Sequence, residues 1–164
     1  FKLYLANCIC GEEVILISHR GNISGPVPEM ENNPIYIDKA IEKGYDVEVD
    51  IRGSFSTKFY LGLDEGQYAV PPEWIFARAH KLWLHAKDIQ ALHSLTQQAS
   101  NFNVFWHQED FYTITTKGFI WTYPGHTLTP ESICVMPERF EGLYSEEELK
   151  SCIGICSDFV EKYK

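Results

Sequence analysis

Eight short strand-like segments, interleaved with helical ones in a chain of 164 residues, predict an α/β fold of parallel βα units: a (β/α)8 TIM-type barrel reduced nearly to its minimum. Three observations carry this reading. Apolar, β-branched runs recur between turn signals; two of the intervening segments have clear helical punctuation; and the connections are too short to hold a second domain. Residues 1–164 therefore read as one barrel domain. Such barrels ordinarily take about 250 residues, so several crossovers are expected to be shortened or non-helical.

Taken in order, Glu13–His19 (EVILISH) is a run of the kind found in strands buried on both faces. The apolar stretch Phe1–Cys10 before it reads as a strand, because it lacks the basic start and small-residue end of a leader peptide. Asn33 as N-cap, Pro34 in the first turn and Gly44 just past the end punctuate a helix, with Ile37, Ala40 and Ile41 on one stripe. Tyr45–Ile51 (YDVEVDI) alternates with period two, which sends Glu48 and Asp50 to the same side of a strand. Further strands are expected at Lys58–Leu63, Lys81–His85, Asn103–His107, Gly118–Tyr123, Ser132–Met136 and Cys152–Cys156. A short helix is expected over 72–79. Another runs from an Asp88 N-cap through Ala99, with Ile89, Leu92, Leu95 and Ala99 on one flank. Ser145 and Glu148 form a capping box before a third short helix, and Asp158–Lys162 adds a final turn.

Composition narrows the function classes. Hydrophobic residues make up 45 % of the chain, enough for a sizeable core, while 14 Lys+Arg against 23 Asp+Glu leave a net charge of −9. An acidic surface repels phosphate backbones and anionic lipid, which argues against a nucleic-acid or membrane binder but leaves room for a local cationic pocket. No apolar run approaches the roughly 18 residues of a membrane span. The five cysteines (Cys8, Cys10, Cys134, Cys152, Cys156) are odd in number and contain no Cys-x-x-Cys pair. Neither a disulfide framework nor a zinc site is indicated, and reduced thiols in a cytoplasmic setting are expected.

Polar residues collect at strand ends. His19-Arg20, Glu48 with Asp50, Leu63-Asp64-Glu65, His85 with Lys87, and His107 all close successive expected strands. In a parallel barrel those ends form one face, where active sites are built. Each residue also has an ordinary reading, such as a core imidazole, a solvated strand end or a surface cation; their shared position favours a site.

The ordered set His19-Arg20-Gly21, Glu31-Asn32, Glu48-Val49-Asp50, Tyr60-Leu61-Gly62-Leu63-Asp64-Glu65, Leu82-Trp83-Leu84-His85-Ala86-Lys87, Phe105-Trp106-His107-Gln108-Glu109-Asp110 and Trp121-Thr122-Tyr123-Pro124-Gly125 resembles the glycerophosphodiester phosphodiesterase family of the phospholipase-C-like barrel superfamily. The likeness spans nearly the whole chain. It implies a (β/α) barrel, a divalent metal and hydrolysis of a small-molecule phosphodiester.

On that resemblance His19 is the acid/base, Arg20 and Lys87 hold the phosphate, and Glu48 and Asp50 hold a hard cation, Mg²⁺ or Ca²⁺. Two departures stand out. The family's second catalytic histidine falls at Leu63, which moves no proton; its loss costs roughly a hundred- to ten-thousand-fold with a poor leaving group. A metal-binding Glu of many relatives falls at His85, which either joins the metal set, shifting preference toward Mn²⁺ or Zn²⁺, or binds phosphate. Asp64 and Glu65 either replace the missing acid or are a solvated loop. His107 either reaches the phosphate or bonds the Glu109-Asp110 turn. Trp121 and Tyr123 either wall the pocket or belong to the core, and His80, His93 and His126 read as surface or structural residues. The competing function is a non-catalytic phosphate- or phosphodiester-binding protein on the same barrel. A membrane-acting phospholipase is disfavoured by the net charge and by the lack of a basic amphipathic helix.

Overall fold

The computed structural model describes residues 14–164. The strand expected over Phe1–Cys10 lies outside the described residues, as do Cys8 and Cys10. In chain order the elements are β1 (Ile15–His19), α1 (Pro34–Glu42), β2 (Asp46–Gly53), β3 (Phe59–Leu61), β4 (Tyr68–Val70), α2 (Pro72–Arg78), β5 (Leu82–Ala86), α3 (Ile89–Thr96), β6 (Asn103–Phe105), β7 (Tyr112–Ile114), β8 (Ile120–Thr122), β9 (Ser132–Val135), a 3₁₀ turn at Pro137–Phe140, α4 (Glu146–Ser151), β10 (Gly154–Ser157) and a last 3₁₀ turn at Val160–Tyr163.

Parallel pairing runs β6-β5-β2-β1-β10-β9-β8. This is a TIM-type barrel sheet with one seam, between β6 and β8. At the seam the edge of β6 bonds to the turn after β7: Thr116 N–H donates to Val104 O at 2.8 Å, and Val104 N–H donates to Thr116 Oγ1 at 2.9 Å. Across it Phe105 and Trp121 pack with ring centroids 4.5 Å apart.

One expected barrel strand is something else. Lys58–Leu63 supplies β3, which pairs antiparallel with β2 and with β4 as a hairpin beyond the barrel. The reason is length: only residues 54–58 separate β2 from β3, whereas a parallel return needs a crossover of about a dozen residues or more. Two strands were not anticipated, β4 and β7. The second had a legible signal in the alternation of Tyr112–Ile114, the turn 115–118 with Gly118, and Ile120–Thr122.

Period-two alternation divides the strand residues between two layers. One set, including Val47, Val49, Ile51, Leu82, Leu84 and Val104, packs outward against Ile37, Ala40, Ile75, Ala91 and Leu95 of the helices. The other set, Ile17, Trp83, Phe105, Trp121, Ile133, Val135 and Cys156, fills the barrel interior. The helix caps are as expected: Asn33 Oδ1 accepts from Ile35 N at 2.9 Å, and Asp88 Oδ1 accepts from Ala91 N at 2.7 Å. The α3 helix ends at Thr96 rather than Ala99, and Ile89 points to solvent, so its buried stripe is Ala91 and Leu95. Among the described residues no helix is long and apolar enough to cross a membrane.

Candidate active site

Moving two residues along each strand from the interior layer reaches the mouth. Ile17 leads to His19, Trp83 to His85 and Lys87, Phe105 to His107, Trp121 to Tyr123 and Cys156 to Asp158, while β2 supplies Glu48 and Asp50. Because the strands are parallel, these side chains gather at one end of the sheet.

Glu48 is 2 % exposed and Asp50 is fully buried. His85 Nδ1 lies 3.3 Å from Glu48 Oε1 and 3.4 Å from Asp50 Oδ1. The opposite ring nitrogen, Nε2, bonds to the carbonyl of His107 at 2.9 Å, and since a carbonyl only accepts, Nε2 carries the proton. In the neutral ring Nδ1 therefore presents its lone pair to the two carboxylates. The three residues offer ligand atoms that all lie within 4.8 Å of one another. Glu48 Oε2 and Asp50 Oδ1 are buried without a hydrogen-bond partner. Orphaned carboxylate oxygens beside an imidazole lone pair fit a divalent cation, with the His107 carbonyl fixing the ring from behind.

The electrostatics agree. Burial alone would raise the Glu48 carboxyl, but without a metal His85 can take a second proton on Nδ1, and the hydrogen bond that this proton makes, with the charges of His19, His85 and Arg20, holds Glu48 at about 2; a bound cation would take that proton's place. Asp50 goes the other way, raised first by burial and then by the Glu48 charge, against the pull of Arg20, His85 and Asn32. Two buried carboxylates so close together strain against full ionisation, and a bound cation relieves that strain.

Arg20 and Asn32 fix Asp50 from the side. Arg20 Nε sits 2.8 Å from Asp50 Oδ2, and Arg20 Nη1 donates to Glu31 Oε2 at 3.0 Å. Asn32 donates through Nδ2 to Asp50 Oδ2 at 3.0 Å and accepts from Asp50 N at 2.9 Å. Burial works against the Arg20 charge, yet Asp50, Glu48 and Glu31 hold its proton more tightly than usual. The sharp exit from β1 that makes this possible needs Gly21, whose φ is +96° and where a Cβ would sit 2.6 Å from the Tyr36 ring.

His19 Nδ1 lies 2.7 Å from Asp158 Oδ1, which also accepts from Asn22 Nδ2 at 2.8 Å. A carboxylate only accepts, so His19 donates from Nδ1 and turns Nε2 toward Glu48, 3.8 Å from its Oε2. Burial tends to raise the Asp158 carboxyl, but the His19 hydrogen bond and charge, with Asn22 and Arg20, bring it below its ordinary value.

The remaining expected residues divide. Lys87 Nζ stands 4.0 Å from Asp50 Oδ1. His107 is buried and its Nε2 donates to the carbonyl of Asp110, the turn contact that competed with phosphate binding in the sequence. Trp121 is not brought to the mouth: it is 4 % exposed, wedged between Phe105 and Trp83 in the barrel interior, because its strand position is one layer below the rim. Leu63, Asp64 and Glu65 line a rim cleft of about 440 Å³ with Glu31 and Asn32, and the two carboxylates are solvated. The hairpin is tied to the site, since Gly62 N–H donates to Asp50 O at 3.0 Å and Arg52 Nη2 donates to Leu63 O at 2.6 Å.

Sequence reasoning missed Asp158, Asn22 and the clamping roles of Glu31 and Asn32. Asp158 obeys the same rule as the others, two residues beyond an interior strand position, but it reads equally as the start of a terminal turn.

The strand ends of this barrel gather three histidines, two buried carboxylates and two cations, and comparison of structures finds a solved protein of the same fold. The chain is similar to the crystal structure of a glycerophosphodiester phosphodiesterase from Thermotoga maritima, with 14 % sequence identity, 93 % of this chain and 98 % of that chain covered, and a TM-score of 0.51. No family model and no curated protein matches the chain.

Proposed function

We propose that this protein is a metal-dependent phosphodiesterase acting on a glycerophosphodiester-like small molecule. The observation that carries the reading is the convergence of the His19–Asp158 pair, the Glu48–Asp50–His85 set and the cations Arg20 and Lys87 at one barrel mouth. Glu48, Asp50 and His85 would hold the cation, Mg²⁺ or Ca²⁺ by their carboxylates, with Mn²⁺ favoured by the nitrogen donor. When bound, the ion neutralises phosphate charge and polarises the phosphorus centre.

The chain's own residues do the rest. Asp158 fixes the His19 tautomer, leaving Nε2 to take a proton from the attacking water or hydroxyl. Arg20, held by Asp50 and Glu31, and Lys87 present positive charge to the phosphate oxygens. His107 and Trp121 act from the side and from below, His107 by carrying its carbonyl to His85 and Trp121 by filling the floor. The free, buried Cys134, Cys152 and Cys156 support a reducing, cytoplasmic setting.

Leu63 favours a second reading, a phosphodiester-binding protein without turnover. It takes the rim position where the resembling family has its second proton donor, and the neighbouring Asp64 and Glu65 are solvated. The experiment is Leu63→His. A strong gain on an alkyl glycerophosphodiester, of roughly a hundred-fold or more, identifies an impaired enzyme on an intact scaffold. Full parental activity that the substitution does not change means another group supplies the proton and excludes the binder. Absence of turnover in both proteins, with the diester still bound, establishes the binder.

A further inference from the structure

The rim opposite Leu63 is aromatic. Tyr123 follows β8 at the mouth, 38 % exposed, and its ring stacks on His107 with centroids 5.4 Å apart and planes at 26°. Beside it Phe111 is 59 % exposed, and Tyr123 N–H donates to Phe111 O at 2.8 Å. His126 stacks on Phe111 at 3.9 Å and 22°. Two near-parallel pairs therefore stand at the rim, His107–Tyr123 next to the carboxylate–histidine centre and Phe111–His126 beside it, with more than half of Phe111 exposed.

This strip is built rather than incidental. Gly125 N–H donates to Tyr144 Oη at 2.8 Å, and Tyr144 Oη in turn donates to His126 O at 2.8 Å, which pins the loop after β8 from beneath. The bond from His107 to the Asp110 carbonyl pins the other loop. Exposed aromatic rings on fixed backbone lose little entropy when a ligand covers them.

The flanking chemistry selects the ligand. Glu109 and Asp110, next to Phe111, are both exposed carboxylates. They repel a nucleotide or a further phosphate and are poor neighbours for an acyl chain. Within each pair the rings lie nearly parallel, and of the neighbouring rings only Tyr112 stands steeply, at 66° to His126, so the patch is an open shelf with one wall and not the several converging walls of an ammonium cage. A neutral sugar ring matches both features, with an apolar C–H face for the rings and hydroxyl donors for the carboxylates. We infer that Tyr123, Phe111 and His126 form the subsite for one esterifying alcohol of the substrate, and that this alcohol is a sugar. The inference rests on the phosphodiesterase reading for the position of the phosphate.

The test compares three diesters of glycerol phosphate in the presence of Mn²⁺: one with a hexose through its primary hydroxyl, one with methanol and one carrying a long acyl chain. The hexose diester is expected to exceed the methyl diester about ten-fold in kcat/KM, and Tyr123→Ala or Phe111→Ala to collapse that ratio, the scale of one good aromatic contact. Unchanged thermal melting confirms that these exposed positions leave the fold intact. An equal ratio in the parent, or one the variants do not move, overturns the inference, as does a preference for the acyl diester that the variants abolish. If none of the three is hydrolysed, the phosphodiesterase reading fails separately. Saturation-transfer NMR on the hexose diester then decides: a sugar-ring signal that disappears in Tyr123→Ala upholds the subsite, and no signal from the sugar ring overturns it.

Discussion

The two halves of the barrel are built differently. Strands β1, β2, β5 and β6 are backed by α1, α2 and α3, whose buried residues form one outer cluster with the sheet. Strands β8, β9 and β10 are joined by a loop over 123–131 and by the short α4, which has no buried residue. The first half supplies Arg20, Glu48, Asp50, His85 and Lys87. The second supplies Asp158 and the aromatic rim. Buried charge demands a rigid surround, because an ion pair out of water is stable only when its partners cannot move away. A rim that meets a neutral group has no such requirement, and the chain economises on helix there.

The largest effect that tests this contrast is on the charged side. A Glu48→Ala, Asp50→Ala double variant is expected to lose divalent-metal binding by isothermal titration, and unaltered affinity would break the assignment of the carboxylates. Asp50→Ala alone leaves Arg20 buried without its 2.8 Å partner, a destabilisation of about 3–5 kcal/mol in urea unfolding. Next comes the link between halves. Asp158→Asn replaces an accept-only carboxylate with an amide that can also donate to His19 Nδ1, so the His19 tautomer is no longer fixed, and kcat is expected to fall by roughly a hundred- to ten-thousand-fold with the protein still folded.

The same Asp158 carries a pH signature. Its carboxyl is lower in the folded protein than its ordinary value, so its contribution to stability is present above the unfolded pKa of about 4 and is lost as pH falls through the folded value. Asp158→Asn should therefore be less sensitive than the parent to acidification below about pH 4 in thermal melts; an identical acid limb would remove the charge argument. The smallest effects are at helix caps. Asp88 caps α3 and also accepts from Gly53 N at 3.0 Å, so Asp88→Ala should cost about 1–2 kcal/mol. Ser145→Ala on the exposed α4 should cost less, and a larger loss there would erase the difference between the halves.

Much of this was legible because it depends on period and punctuation. The alternation in Tyr45–Ile51 placed Glu48 and Asp50 on one face, and Asn33-Pro34 and Asp88 located two helix starts where the caps occur. The hairpin was misassigned because the apolar run Lys58–Leu63 looks the same whether it pairs parallel or antiparallel; the length of the preceding connection decides that. For Trp121 the sequence leaves pocket wall and core open, since strand ends blur by a residue or two while the mouth is only one period deep; its burial in the structure puts it with the core. Asp158 was missed because its position reads equally as a strand end and as the start of the terminal turn, and the contact that decides between them is with a residue 139 positions away.

Phosphorus-31 NMR of a panel of glycerophosphodiesters and a bis-aryl phosphate, with Mg²⁺, Ca²⁺ or Mn²⁺ and then with EDTA, tests the central claim most directly. The account predicts metal-dependent hydrolysis that EDTA abolishes, faster for aryl than for alkyl leaving groups because Leu63 donates no proton. Hydrolysis indifferent to EDTA, or none of any diester with any of these metals, would contradict it.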